Sequence, residues 1–170
     1  MLTVSSDRLL LMACSAQVAR AAFNGRRHAE VLIRYRVHPD WPSAEIHGYL
    51  PVYARQVEND PALIGWGVWM IIHVADQVVI GDVGFKGRPN ARGAVDIGYG
   101  IVPEYRRQGF GFEAARALRD WAFEQPGVQR LTADCRPDNV GSIRILEKLG
   151  LQRIGVSNGG LLLWELAKEA

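Results

Sequence analysis

The sequence predicts an α+β fold, on three observations. Apolar residues at helical spacing fill much of the first third, between Ser15 and Glu58. From Gly65 to Val102 the chain is instead rich in β-branched and aromatic residues at strand spacing. Beyond Val102, helical and strand patterns alternate to the C-terminus. A chain of 170 residues, 48% hydrophobic and 22% charged, can bury one good core but not two, so a single domain over 1–170 is expected.

In chain order, Arg8 to Ala13 (RLLLMA) is a first strand, after Ser6-Asp7. Val18, Ala22 and Val31 then lie on helical segments interrupted by Asn24-Gly25, so one helix ends there and another begins. Ile46, Tyr49, Leu50 and Tyr53 predict a helix over about 43–58, with Pro51 a site for a kink. GWGVWMIIHV (Gly65 to Val74) and QVVIGDVGF (Gln77 to Phe85), separated by Ala75-Asp76, read as a hairpin.

In GAVDIGYGIV (Gly93 to Val102), Val95, Ile97, Tyr99 and Ile101 alternate with Asp96, Gly98 and Gly100. One face of that strand is therefore bare, as a bulge or the close approach of another chain or ligand requires. A helix follows on Ala114, Leu118, Trp121 and Ala122 and stops at Gln125-Pro126-Gly127. A strand over 128–135, a short helix with Ile143, Leu146 and Leu149 inward and Gly150 as its stop, and strands over 151–156 and 161–166 complete the chain.

Composition narrows the function. Twenty basic and 18 acidic residues leave a formal charge of +2, which calls for neither nucleic acid nor an anionic membrane. Cys14 and Cys135 are far apart and lack CxxC or Cys/His companions, so they are expected as buried reduced thiols, with no metal. His28, His47 and His73 have no partners at ligand spacing. No run approaches the ~20 apolar residues of a membrane span and no basic-then-apolar leader opens the chain, so a cytoplasmic location is expected. Trp66, Trp69, Trp121 and Trp164 are expected in the core.

The chemistry concentrates in PEYRRQGFGFEAA, Pro103 to Ala115. A helix N-terminus presents unpaired N–H groups and the positive end of the macrodipole. Arg106, Arg107, Gln108, Gly109, Phe110 and Gly111 add charge and a backbone that lets an anion approach, which suits a pyrophosphate. A tight turn with solvated arginines explains the same residues. GxxxxGK[ST] is absent, which disfavours a P-loop nucleotidase. Gly109, Gly111 and Ala114 satisfy GxGxxA, but the six residues PEYRRQ before the first glycine and the 35 after Cys135 fit a dinucleotide fold poorly.

RRQGFG resembles the Gln/Arg-x-x-Gly-x-Gly/Ala signature of the GCN5-related N-acetyltransferases (GNAT). DIGYGIVPEYRRQGFG with RPDNVGSIRILEKLGL some 30 residues later is similar to the branch containing the ribosomal-protein alanine N-acetyltransferases. The resemblance is strong over about 93–155. It implies a mixed, mostly antiparallel, splayed sheet flanked by helices on both sides, and acetyl-CoA as co-substrate. It further implies pantetheine pairing along the strand ending near Ile101 and Val102, and pyrophosphate on the amides from Gln108 to Phe112, with Arg106 and Arg107 beside them. The reaction implied is direct attack by a primary amine, on a protein N-terminus or a small molecule, in a ternary complex. Homodimers are compatible with the family.

On that resemblance Asp96 is nominated as the base: it stands where the branch commonly has glutamate, opposite the core-like Val95 and Ile97, although a solvated or salt-bridged role fits it too. Glu104 is a weaker candidate. Asn139 and Ser142 stand where relatives place residues near the cofactor arm, and an N-cap explains them equally. Many relatives carry a tyrosine where this chain has Leu146, which leaves Ser142 or water to protonate the leaving thiolate. The N-terminal helices and their loop form the acceptor wall in this fold, which nominates Tyr35, Arg36 and Trp41, with Arg34 and His38, as acceptor contacts. The departures at Asp96 and Leu146 keep a second class open, a catalytically silent acyl-CoA-binding sensor or interaction domain.

Overall fold

The computed structural model describes residues 1–170. Nine strands form one open sheet: β1 (Thr3–Ser5), β2 (Leu9–Ala13), β3 (Arg36–Val37), β4 (Val68–His73), β5 (Val78–Phe85), β6 (Ala94–Ile101), β7 (Arg130–Cys135), β8 (Gln152–Val156) and β9 (Leu162–Ala167). The order is β1-β2-β4-β5-β6-β7-β9-β8, with β3 pairing in parallel with β5 off this path. Along the path only β6 and β7 run parallel. This is the mixed, mostly antiparallel α+β sheet that the resemblance implied.

Five helices flank it: α1 (Ala16–Asn24), α2 (Arg26–Ile33), α3 (Ala44–Asn59), α4 (Phe110–Glu124) and α5 (Val140–Lys148). Helix α4 packs on the face carrying Trp69, Phe85 and Ile101, with Trp121 edge-to-face with Trp69 at 5.1 Å and stacked on Phe85 at 6.3 Å. On the other side α3 packs on α1, and the Tyr53 hydroxyl donates to the Cys14 carbonyl at 2.6 Å. Covered on both faces, the central strands are continuously buried, Val68 to Ile72 and Val78 to Val83, as expected of strands sandwiched between helices. Asp82 is the one charge in that run.

Local chemistry sets the helix ends. Ser15, Ser43 and Asn139 accept N–H bonds from Val18, Ile46 and Ser142 at 3.1, 3.3 and 3.1 Å, capping α1, α3 and α5. Gly25 separates α1 from α2 as expected, and Gly150, at φ 92°, ends α5. Helix α3 runs on through Pro51. Helix α4 opens instead on Gly109, which offers no side-chain acceptor.

The short β1 and β3 had no sequence signature. The bulge falls on β5, where Ile80 is the extra residue opposite the Ile71–Ile72 step. The β5–β6 ladder is continuous past Gly98 and Gly100, so those glycines serve no bulge.

Candidate active site

The β6–β7 ladder holds for three registers, Ala94↔Arg130 to Asp96↔Thr132, and then the strands part. Each stays with its other neighbour: β6 pairs with β5 as far as Ile101, and β7 with β9 as far as Cys135. The Lys86 N–H donates to the Asp96 carbonyl at 3.1 Å and the Val102 N–H to the Ile80 carbonyl at 2.8 Å. Because bonding alternates along an antiparallel ladder, Ile97, Tyr99 and Ile101 therefore aim their amides and carbonyls into the gap.

A cavity of about 890 Å³ passes through this gap, reaching Trp41, Glu45 and Tyr49 on the α3 side and Asn139, Ser142 and Leu146 on the α5 side. Gly98 and Gly100 line it, and a Cβ on either would meet nothing within 4 Å. The bare face of β6 keeps the passage open.

At the start of α4, Arg107 (φ 61°) and Gly109 (φ 83°) adopt left-handed backbone. The N–H groups of Arg107 through Phe112 find no acceptor in the protein; Glu113 is the first to bond, to the Gly109 carbonyl at 3.0 Å. Six consecutive free amides at the positive end of a helix, with two arginines beside them, fit a pyrophosphate.

The turn is braced from both sides. Arg106 Nε donates to the Ile101 carbonyl at 2.8 Å. Arg8 Nη1 donates to the Gln108 carbonyl at 3.0 Å, and its guanidinium lies over the Phe110 ring, 4.2 Å from the centroid. Arg8 Nε also reaches Glu113 Oε2 at 2.7 Å, while Ser6 Oγ and the Arg8 N–H both donate to Oε1, at 2.7 and 2.8 Å. Burial pushes the Glu113 carboxyl up, but these donors outweigh it and hold it below the usual range. Arg8 lies about a hundred residues before this turn, and no sequence spacing signals the link.

Across the gap, Asp82 is 8% exposed and lines the cavity. Trp41 Nε1 donates to its Oδ2 at 2.8 Å, and no protein donor reaches Oδ1. Burial pushes its carboxyl up to about 6; the Trp41 bond opposes this and the charge of Glu45 adds to it. Asp82 was not among the residues nominated from sequence, although a lone carboxylate inside an unbroken apolar strand is a signal, since such groups are seldom buried without purpose.

The structure brings the nominated residues together in part. Asp96, nominated as the base, does not line the cavity: it lies at the β6–β7 junction, its side chain 36% exposed, where Lys86 Nζ, 3.7 Å from its Oδ1 and 3.3 Å from Asp134, draws it aside. Burial, with Asp134, raises its carboxyl, and Lys86 and Thr132 oppose the rise. Ile101, Val102, Arg106, Asn139 and Ser142 do line the cavity. The Ser142 carbonyl accepts from the Tyr99 hydroxyl at 3.4 Å, and burial pushes that phenol up to about 12.

Trp41 lines the cavity but is 3% exposed, with its one polar atom given to Asp82. Tyr35 and Arg36 do not line it: Arg36 lies on β3 and donates to the Asp76 carbonyl at 2.7 Å, at the β4–β5 turn. The short parallel β3, invisible in the sequence, carries both away from the wall. Glu104 is a surface residue that accepts from His38 Nε2 at 2.6 Å. Cys14 and Cys135 are both buried and unpaired, and no helix is long and apolar enough to cross a membrane.

Residues 8–152 match the family model described as an acetyltransferase (GNAT) domain. The uncharacterized N-acetyltransferase YjdG of Bacillus subtilis (strain 168) is 30% identical over 150 residues, covering 88% of this chain and 89% of that protein. The uncharacterized N-acetyltransferase YoaA of the same strain is 29% identical over 153 residues, covering 90% and 84%. Among solved structures, the ribosomal-protein-S5-alanine acetyltransferase of Vibrio fischeri superposes with a TM-score of 0.71 at 17% identity, covering 98% and 97% of the two chains. RimL, a ribosomal-protein alpha-N acetyltransferase solved in complex with coenzyme A, gives 0.70 at 17%, covering 98% of each.

Proposed function

The chain belongs to the GNAT acetyltransferase family and is an N-acetyltransferase, and on that premise we propose that residues 1–170 act as one domain moving the acetyl group of acetyl-CoA onto a primary amine held over Asp82. The observation that carries this reading is the pairing of the β6–β7 gap with the six unpartnered amides of Arg107 to Phe112. A relative in fold binds coenzyme A, and a pyrophosphate-sized anion suits that nest. The free N–H groups of Tyr99 and Ile101 and the free carbonyls of Ile97 and Tyr99 offer a strand edge to the amides of a pantetheine arm. Asn139 and Ser142, on the far wall, stand beside its path.

Bound acetyl-CoA would supply an acyl group already activated as a thioester, so no protein nucleophile is required. Asp82 takes the proton of the incoming ammonium on Oδ1. It suits this better than Asp96, because a base works best with a pKa near the working pH, and Lys86 spends part of its charge on Asp96. Trp41 is a positioning residue that holds the other oxygen of Asp82. Leu146 has no proton to give; Tyr99, neutral at physiological pH, and Ser142 are the lining hydroxyls on the α5 side of the cavity. With a buried carboxylate in the cavity, the departures at Asp96 and Leu146 no longer favour a silent module.

Thermal unfolding with acetyl-CoA, CoA, NAD and ATP in parallel tests the donor. A ligand at 100 times its Kd adds about 2.7 kcal/mol to native stability. Stabilisation by the CoA species alone is expected; a response to NAD alone would sink the reading.

A further inference from the structure

The cavity is acidic in a chain whose formal charge is +2: four carboxylates, Asp40, Glu45, Asp82 and Asp134, line it against Lys86 and Arg106. The imbalance is local. Lys86 bridges Asp96 and Asp134 near the β6–β7 junction, and Arg106 is turned to the end of β6. Asp40, Glu45 and Asp82, on the α3 side, form no ion pair with lysine or arginine. Asp40 approaches only His38, at 4.0 Å, and Nδ1 of that ring already accepts from the Asp40 N–H at 3.1 Å.

Neighbouring carboxylates without a cation repel, and Glu45 accordingly helps to push the Asp82 carboxyl up. Glu45 has an ordinary reason to sit in the first turn of α3, where the helix dipole favours an acid. That reason does not reach Asp82, which is buried, lines the cavity and has one oxygen without a protein donor. Between these acids the wall is apolar, formed by Trp41, Ile46 and Tyr49. Carboxylates separated by an apolar wall match two ammonium groups separated by methylenes.

Resting on the acetyltransferase reading, we propose that the acceptor is a small aliphatic amine with a second protonated nitrogen: one nitrogen reacts over Asp82 while Glu45 and Asp40 hold the other. The second charge serves recognition and takes no part in the transfer.

Calorimetric titration of 1,4-diaminobutane and butylamine into the protein without cofactor is the test. The two share a carbon chain and differ in the second nitrogen. At least tenfold tighter binding of the diamine at pH 8 and low salt is expected, with the preference shrinking on Glu45→Gln and vanishing on Asp40→Asn with Glu45→Gln. Both residues are exposed, so the variants should fold as the parent does, and circular dichroism checks this. Equal binding of the two amines, a preference unchanged by the double substitution, or tighter binding of a peptide with N-terminal alanine and no basic residue would each overturn the proposal. A chain stabilised by CoA but indifferent to the second nitrogen keeps its donor and loses this acceptor. A diamine preference without any CoA response keeps the cation site and removes the donor reading.

Discussion

Asp82→Asn separates stability from chemistry at one residue. Burial moves the Asp82 midpoint from 3.8 to about 6, so above that range the folded state carries an ionised carboxylate at a cost on the order of 3 kcal/mol. Between 3.8 and about 6 the folded protein binds the proton more tightly than the unfolded chain does. This residue's contribution to stability therefore falls as pH rises through that window and is flat on either side. An asparagine keeps an acceptor for Trp41 Nε1 and carries no charge. Urea unfolding from pH 4.5 to 8 should show the variant gaining on the parent as pH rises, to on the order of 3 kcal/mol by pH 8, or roughly 6–12 °C in Tm for a chain this size. Activity should move the other way, with kcat falling by about a hundredfold or more as expected for a lost general base, and the acid limb of the pH–rate profile disappearing. A stability gap that stays constant across pH would refute the buried-charge argument. An acid limb that persists in the variant would remove Asp82 as the base.

Gly100→Val places a side chain in open cavity on a strand that tolerates β-branching. It should leave Tm within a few degrees while cutting transfer at least tenfold, and differential scanning with a steady-state assay reads both. Gly109→Ala, at φ 83° and with its Cβ 3.3 Å from Arg8 Nη2, should cost about 1–2 kcal/mol of stability and weaken CoA in calorimetry. Arg8→Ala strips donors from the buried Glu113 and frees the Gln108 carbonyl; about 2 kcal/mol of stability should go together with CoA affinity. Trp41→Phe removes the donor to Asp82 and should move the acid limb of the rate profile to higher pH, since that bond holds the carboxyl down.

Much of the fold was legible because hydrophobic period and turn chemistry are local. The break at Asn24-Gly25, the hairpin around Ala75-Asp76 and the stop at Gly150 all fell close to where the residues placed them. Strands β1 and β3, of three and two residues, are too short to carry a period, and β3 is what took Tyr35 and Arg36 off the wall. The glycine turn that opens α4 was legible as well, since it is written in consecutive residues.

The acceptor side was not. Asp82 stood in plain view within QVVIGDVGF, but its significance depends on Trp41, 41 residues earlier, and on helices burying both faces of β5. Arg8 likewise acquires its part through Glu113, 105 residues on. By itself the sequence determined most of the elements, the glycine turn that opens α4 and the bare face of β6, because each follows from neighbouring residues. Only the tertiary structure decided where β6 leaves β7 and which carboxylate lies buried in the cavity beside that gap. Both are set by contacts between segments distant in the chain, where burial and charge depend on everything packed around a group rather than on its neighbours in sequence.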